Sequence, residues 1–567
     1  MALLAASIVA FASFTNTELV RDVVVLDSGV VVAATSGGVD VFDGRGRPLD
    51  TLHTEDGLPS HETYAVRRFG DQVVVATARG LAVMADNGEV SAVGRGRPWH
   101  GLPEAKVGEG MQAYLQRLLA WEARWPAAVI PAALAEDGAR WAVAMVDGRL
   151  EVSLGEHLHR LSVPGMPQAV AFSGSELLIA TSEALFGVDA EGRLRPVQHR
   201  LTAPFAARAA GAALEGVDAT GQAFLLSAAG VRPLERLKLK DITAFAPGRT
   251  YLGVREQGVW SKAGRRLTRT GQLCGNHVTR VIQHQGRWVV GTFDRGVCWS
   301  SDAVTWRTSR RPALPSDVVY DVASVGARLF VATSHGLGVH DGRRFTHYGF
   351  GGRNPFGLEA LSVLAVLPAA DPEGRAAVVE RRGISWLGDD ASLIARERGQ
   401  TEISEHFTTA AAAGPYLWLG TEDRGVLRFD GASWTVFHDG KDLPDNWVTA
   451  LDAAPDGRAV VGTCQDGVAF IDPGQETLRL GHDQGLADDM VTGVALGEAP
   501  RSAFVGTLGG LSQVEGGRVV ARFGPEEGLA DPRVASVQRF GEVLWVGTEA
   551  GLSRALLSAP QASVVSP

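Results

Sequence analysis

The sequence predicts an all-β fold: two tandem β-propellers of four-stranded blades, about seven blades in each, with one short helical insertion near residues 109–125. Three observations carry this expectation. A short apolar run ending in Thr and a glycine turn recurs along the chain. The recurrences lie about one blade apart. Asp-Gly turns, or close equivalents, occupy a fixed place within each unit.

The run is clearest at Leu544-Trp545-Val546-Gly547-Thr548, followed by Gly551. Copies read Leu417-Trp418-Leu419-Gly420-Thr421 with Gly425, Trp288-Val289-Val290-Gly291-Thr292 with Gly296, and Phe330-Val331-Ala332-Thr333 with Gly336. Two more are Val74-Val75-Ala76-Thr77 with Gly80 and Val32-Ala33-Ala34-Thr35 with Gly38. Each has the pattern of a buried strand that ends in a tight reversal. Thr35 to Thr77 is 42 residues, Thr421 to Thr463 is 42, Thr463 to Thr507 is 44 and Thr507 to Thr548 is 41. A four-stranded blade takes roughly 40–45.

Ahead of the anchor strand lies another apolar run, such as Trp447-Val448-Thr449-Ala450-Leu451. After it come a third strand such as 426–429, the turn Asp430-Gly431, and a fourth strand at 434–437. Asp-Gly suits a two-residue hairpin because both central positions tolerate positive φ. From Trp99 to Gly258 the pattern weakens, and Met145, Thr181, Val217 and Val254 are the best matches to the anchor position. In the C-terminal half the weak copy lies at about Val379.

These units resemble the two-component regulator propeller repeat. The resemblance rests on the anchor runs, on the Asp-Gly turns and on a leading motif. That motif reads Asp56-Gly57-Leu58-Pro59-Ser60, Leu314-Pro315-Ser316, Leu443-Pro444-Asp445-Asn446, Gly485-Leu486-Ala487-Asp488 and Gly528-Leu529-Ala530-Asp531. It is strong in the thirds of the chain nearest the termini. It implies a sensory propeller, the input module of bacterial two-component regulators. Such modules work outside the cytoplasm, often bind oligosaccharides, and pass the signal to a kinase. The chain itself carries no kinase sequence.

The chain of 567 residues, 45% hydrophobic with a formal net charge of −10, suits large folded domains. An acidic balance argues against nucleic acid, which demands a basic face. No uninterrupted apolar run reaches the roughly 18 residues of a membrane-spanning helix. Residues 1–14 are apolar and offer an Ala-x-Ala-like site at Ala10 to Ala12, without a basic start. They fit either a strand over 7–14 or the remnant of a secretory signal, so a periplasmic location rests on the family resemblance.

Met111, Tyr114, Leu115, Leu118 and Leu119 fall at helical spacing ahead of Pro126. They predict a helix that packs on a blade edge or covers a channel. A degenerate blade within 95–137 is the alternative. Cys274, Cys298 and Cys464 lack the spacing of a zinc site. Cys274 and Cys298 fall on one face of a blade, which suits either a disulfide or two neighbouring thiols, and the compartment decides between them.

Two rings are expected, 1–270 and 271–567, because thirteen or fourteen blades exceed the roughly four to eight of a single propeller. Anchors at Thr292, Thr333, about Val379, Thr421, Thr463, Thr507 and Thr548 complete the second ring. The terminal strands are expected to cover each other's edges, within each ring or across both.

The reading for function is recognition without catalysis. The sequence has no HExxH, no Gly-x-Ser-x-Gly elbow and no phosphate-binding glycine loop, so no catalytic residue, cofactor or metal ligand is assigned. Ser300 to Trp306 resembles the Asp box of sialidase-like propellers without its glycine, and reads as a turn. The alternatives are a protein-interaction platform of the WD40 type and a glycoside-active propeller enzyme. A sensor predicts a concave polar and aromatic mouth, and a platform predicts a flat apolar patch.

Comparison among the repeats supplies candidate residues. Gly and the anchor Thr recur, as turns and buried hydrogen bonds require. The slot after the Leu-Pro-Ser-Asn-like motif varies: Glu62, His277, Val318, Trp447, Met490 and Arg533 fill it. We assign Glu62, His277, Asn446, Trp447, Met490 and Arg533 as ligand-binding candidates, with Trp447 suited to stacking on a sugar and the polar residues to hydrogen bonding. The competing explanation is that loop positions simply vary. The ligand, an oligosaccharide or a signalling protein, is not named by these residues.

Overall fold

A computed structural model describes residues 8–557, apart from 27, 70–71, 85–89, 93–130, 146, 247–248, 256, 268–271, 310–313, 349–361, 369–375, 381–382, 388–392 and 399–405. Among the described residues the chain is all-β and propeller-like: thirteen four-stranded antiparallel sheets follow one another. Single 3-10 turns lie among them at Thr54–Asp56, His482–Gln484 and Pro525–Glu527. The helix expected at 109–125 lies outside the described residues. Of the hidden unit expected over 95–137, only the strand Pro131–Asp137 is described, and it opens a regular sheet.

Two compact units emerge: residues 17–269, and residues 1–16 together with 270–567. Residues 1–16, allotted above to the first unit, therefore belong to the second. The reason is strand pairing. Ile8–Phe14 runs antiparallel to Leu552–Leu557 and becomes the outermost strand of the last sheet. Phe11 enters a core with Leu529, Val537, Leu544 and Leu557. Without that partner, Leu552–Leu557 would present a row of open N–H and C=O groups. The first unit is thus inserted between the first strand of the second unit and the rest of it.

Burial within each sheet explains which strands the sequence displays most clearly. The second strands Val31–Thr35, Ala459–Thr463 and Ala503–Thr507 are buried at every position. A strand covered on both faces reads as a continuous apolar run. The outer strand Arg518–Phe523 alternates exposed and half-buried instead. Cores form between successive sheets, as where Val32, Val39 and Leu58 meet Val66, Val75 and Ala82. First and last sheets also share a core in each unit. Val20, Val31 and Phe42 pack with Ala244, Val259 and Leu267 in the first unit, and Val278 and Val290 pack with Trp545 and Leu552 in the second.

A second device joins neighbouring sheets. Where the innermost strand meets the anchor strand, the register shifts one residue after the first pair, as between Val448 and Ala450 or Val491 and Gly493. The extra residue of this bulge is often Thr, and the bulge turns its hydroxyl toward the next sheet. Thr279 donates to the Val319 carbonyl at 3.0 Å, Thr449 to Val491 at 2.5 Å and Thr492 to Val534 at 2.5 Å. Ser536 donates to Val278 at 3.2 Å, which links the last sheet of the second unit back to its first complete one.

The anchor Thr is scaffold. Thr421 Oγ1 donates to the Gly425 carbonyl at 2.8 Å and accepts the Arg424 N–H at 2.9 Å, and Thr35, Thr77, Thr292, Thr333, Thr463, Thr507 and Thr548 donate to the matching carbonyl. One anchor expected at Val217 and one expected at about Val379 each fall one residue later. The register partner of Phe205 is Asp218, not Val217, and that of Val363 is Glu380, not Val379. A carboxylate stands there in place of the Thr hydroxyl. Asp218 accepts the N–H groups of Thr202, Thr220 and Gln222 at 2.9–3.1 Å. Burial alone would raise its pKa, but the hydrogen bond from the Thr220 hydroxyl, with these three, outweighs it and holds the group below its ordinary value.

The Asp-box-like stretch is a turn. Asp302 Oδ1 accepts from the Ser300 hydroxyl and from the Val304 and Thr305 N–H groups at 2.7–2.9 Å, and these bonds hold its carboxyl far below the usual range. Cys274 and Cys298 form a disulfide with a Cα–Cα distance of 5.6 Å, leaving Cys464 as a thiol.

Candidate functional site

The variable slot lies at the start of each innermost strand, and a backbone hydrogen bond ties it to the residue after the anchor Thr. Phe293 N–H donates to the His277 carbonyl at 2.9 Å, Cys464 to Trp447 at 2.9 Å, Leu508 to Met490 at 3.3 Å and Glu549 to Arg533 at 3.1 Å. Each position at this end is therefore a pair of side chains, one from the leading loop and one from the anchor turn. The second members were missed in the sequence. Their signal was the residue directly after each anchor Thr, which varies as freely as the slot.

Four candidates come together in the second unit. The hydroxyl bridges from Thr449, Thr492 and Ser536 place Trp447, Met490, Arg533 and His277 on successive sheets at one end. At one end of this arc stands Trp447, 41% exposed, followed by Leu508 at 37% beside Met490, and at the other Phe293 at 42%. These three are among the eight large apolar side chains that stand exposed among the described residues; the other five, Leu49, Val304, Val436, Val520 and Leu556, lie elsewhere. Phe293 stacks on His277 with ring centroids 5.0 Å apart, and Tyr320 lies 6.0 Å beyond it.

Between the apolar ends lies a charged knot. Arg533 Nε reaches Asp531 at 2.9 Å, and its Nη1 reaches Glu549 at 2.8 Å. Burial pushes the His277 imidazole below its ordinary value; Glu549 and Asp294 oppose that and Arg533 adds to it. Cys464, beside Trp447, is pushed up by burial and by Asp445.

Two candidates stand apart. Asn446 Oδ1 accepts the Asp439 N–H at 2.9 Å, so its carbonyl braces its own loop. Glu62 lies in the first unit and pairs with Arg21 at 3.0 Å, while the Arg21 guanidinium stands 4.5 Å above the Tyr64 ring. Among the described residues no group of three or more His, Cys, Asp or Glu side chains is placed to hold a metal ion. No helix among them is long and apolar enough to cross a membrane.

The fold and these paired loop residues define a propeller-like protein whose second unit carries variable side chains at one end of its sheets. No family model matches the chain, and no curated protein matches it. Solved structures do. PorZ of Porphyromonas gingivalis, an essential bacterial surface component of the type-IX secretion system, matches at TM-score 0.66 and 13% identity over 98% of this chain and 88% of its own. An ancestral GH74 enzyme matches at TM-score 0.55 and 13% identity over 99% of this chain and 100% of its own. The extracellular domain of BT4673 of B. thetaiotaomicron, ascribed to a one-component system, matches at TM-score 0.42 and 15% identity over 96% of this chain and 70% of its own. At these identities the likeness concerns the fold.

Proposed function

We propose that this chain is a non-catalytic recognition protein of two tandem propellers, a sensory or docking component that works outside the cytoplasm. The second unit, with seven blades, takes its ligand at the mouth formed by His277, Phe293, Trp447, Met490, Leu508 and Arg533. The observation that carries this reading is the gathering of Phe293, Trp447 and Leu508, all exposed, onto the variable slots of one end. Exposed aromatic surface set among polar groups is what a binding mouth requires. The Cys274–Cys298 bridge supports an oxidising compartment. The surface role of PorZ, a structure of the same fold over nearly its whole length, points the same way.

The test pairs a glycan array with a pull-down from the native cell, using the full chain and a Phe293→Ala/Trp447→Ala variant. The reading expects a retained glycan or protein that the variant loses while its melting temperature is unchanged. A variant that retains everything the parent retains would place recognition elsewhere.

A further inference from the structure

The mouth has a charge asymmetry that the exposed aromatic residues do not explain. Three of its four leading loops lie on successive sheets. Loop 438–447 holds Asp439, Asp442 and Asp445 against Lys441, and loop 481–490 holds Asp483, Asp488 and Asp489 with no lysine or arginine. Loop 524–533 holds Glu526, Glu527 and Asp531 against Arg533, and Arg533 is already engaged by Asp531 and Glu549. At the opposite end of the same sheets, arginines stand against several of the acids. Asp456 meets Arg458 at 2.7 Å, Asp472 meets Arg501 at 3.2 Å and Glu498 meets Arg539 at 2.7 Å.

The apolar groups of the mouth sit directly beside these carboxylates. Asp445 Oδ1 accepts the Trp447 N–H at 3.2 Å, and Asp488 Oδ1 accepts the Met490 N–H at 2.8 Å. Each of these two slots thus combines a polarisable side chain with a carboxylate two residues before it. A lysine or arginine side chain fits that combination. Its alkyl stem packs on an apolar surface while its charged head reaches a carboxylate or an aromatic face. An anionic ligand would be repelled by the same loops, and a neutral one would gain nothing from them.

Building on the mouth reading above, we infer that the ligand of this mouth is a polypeptide segment of a partner protein that presents lysine or arginine beside aliphatic residues. The carboxylates steer it, and Trp447, Met490 and Leu508 hold its stems and aliphatic side chains. Because Asp439, Asp483, Glu526 and Glu527 are exposed, added salt weakens the steering.

The experiment uses the full chain and a fluorescein-labelled peptide of repeating Lys-Leu-Gly, with Glu-Leu-Gly and Ser-Leu-Gly peptides as comparisons, read by fluorescence anisotropy. The lysine peptide is expected to bind at least about ten-fold tighter than either comparison at low salt, and to lose most of that advantage at high salt. Asp439→Asn/Asp483→Asn/Glu526→Gln and, separately, Trp447→Ala each weaken it about ten-fold. Asp456→Asn/Glu498→Gln/Glu542→Gln, the same charge change at the opposite end, leaves it unchanged. Equal binding of the three peptides, or equal losses in the two charge variants, would overturn the cationic assignment. If the native pull-down still depends on Trp447 in that case, the mouth reading survives without it. If neither assay responds to Trp447→Ala, both fail.

Discussion

Ile8 stands opposite Leu557 in an antiparallel register that carries on to Phe14 opposite Leu552, so the beginning and the end of the described chain share one sheet. The inserted unit, 17–269, neither begins nor ends in that sheet. Expressed alone, 17–269 should fold. Residues 270–567 alone should lack the covering strand and melt lower or aggregate. A permuted chain in which residues 1–16 follow Pro567 should recover the lost stability. Thermal melting of the three chains checks this, and equal melting of 270–567 with and without the strand would refute the pairing. In the full chain, Phe11→Ala should cost about 3–5 kcal/mol, read from the denaturation midpoint of the second unit.

Thr421→Val tests the anchor. The substitution keeps the shape and leaves the Gly425 carbonyl and the Arg424 N–H without the Thr421 hydroxyl. The expected loss is about 1–3 kcal/mol, measured by chemical denaturation. Thr463→Val and Thr507→Val should behave alike, since both hydroxyls make the same bond. A loss confined to one of the three would mean that the shared geometry is not the cause.

The disulfide gives a chemical prediction. Peptide mapping of the natively expressed protein without reduction should recover Cys274 linked to Cys298, with Cys464 alkylated. The bridge spans 24 residues, and a loop of that size stabilises by about 3 kcal/mol. Three alkylated thiols would contradict the bridge and weaken the case for an extracytoplasmic protein.

A pH dependence follows from His277. Burial is the main cause that lowers its pKa in the folded protein, so the fold favours the neutral imidazole. The unfolded chain therefore binds the proton more readily, and stability rises with pH in that window. The contribution is complete above the ordinary value of 6.5 and is lost as the pH falls below it. Melting temperatures measured from neutral pH downward should fall less steeply for His277→Gln than for the parent chain. Parallel curves would remove His277 as a cause.

The repeating core was legible in the sequence because buried second strands must be apolar throughout and must end in a residue that closes the turn. Thr548 and Gly551 do this visibly. Asp218 and Glu380 occupy the corresponding register position with a carboxylate, and the pattern of apolar residues ending in Thr slid one residue short of them. The proposed site was legible in part: His277, Trp447, Met490 and Arg533 stood out because scaffold positions around them repeat and they do not. Phe293, Leu508 and Glu549 did not, because their partnership with the slot is a backbone hydrogen bond between loops. The hydrogen bond by which Asn446 braces its own loop was not legible, since an amide in that role has the same composition as one that meets a ligand. The partnership of Ile8–Phe14 with Leu552–Leu557 was open in the sequence, where an apolar strand of that kind suits any uncovered edge.

The central claim, that the second unit recognises its ligand at the end marked by Trp447, is tested most directly by photo-crosslinking in the native cell. p-Benzoylphenylalanine would replace Trp447 in one chain and, in a second, Val520, which is 53% exposed on the outer strand Arg518–Phe523. The account predicts a discrete crosslinked product from position 447 and none from position 520. The same product from both positions, or a product from 520 alone, would contradict it.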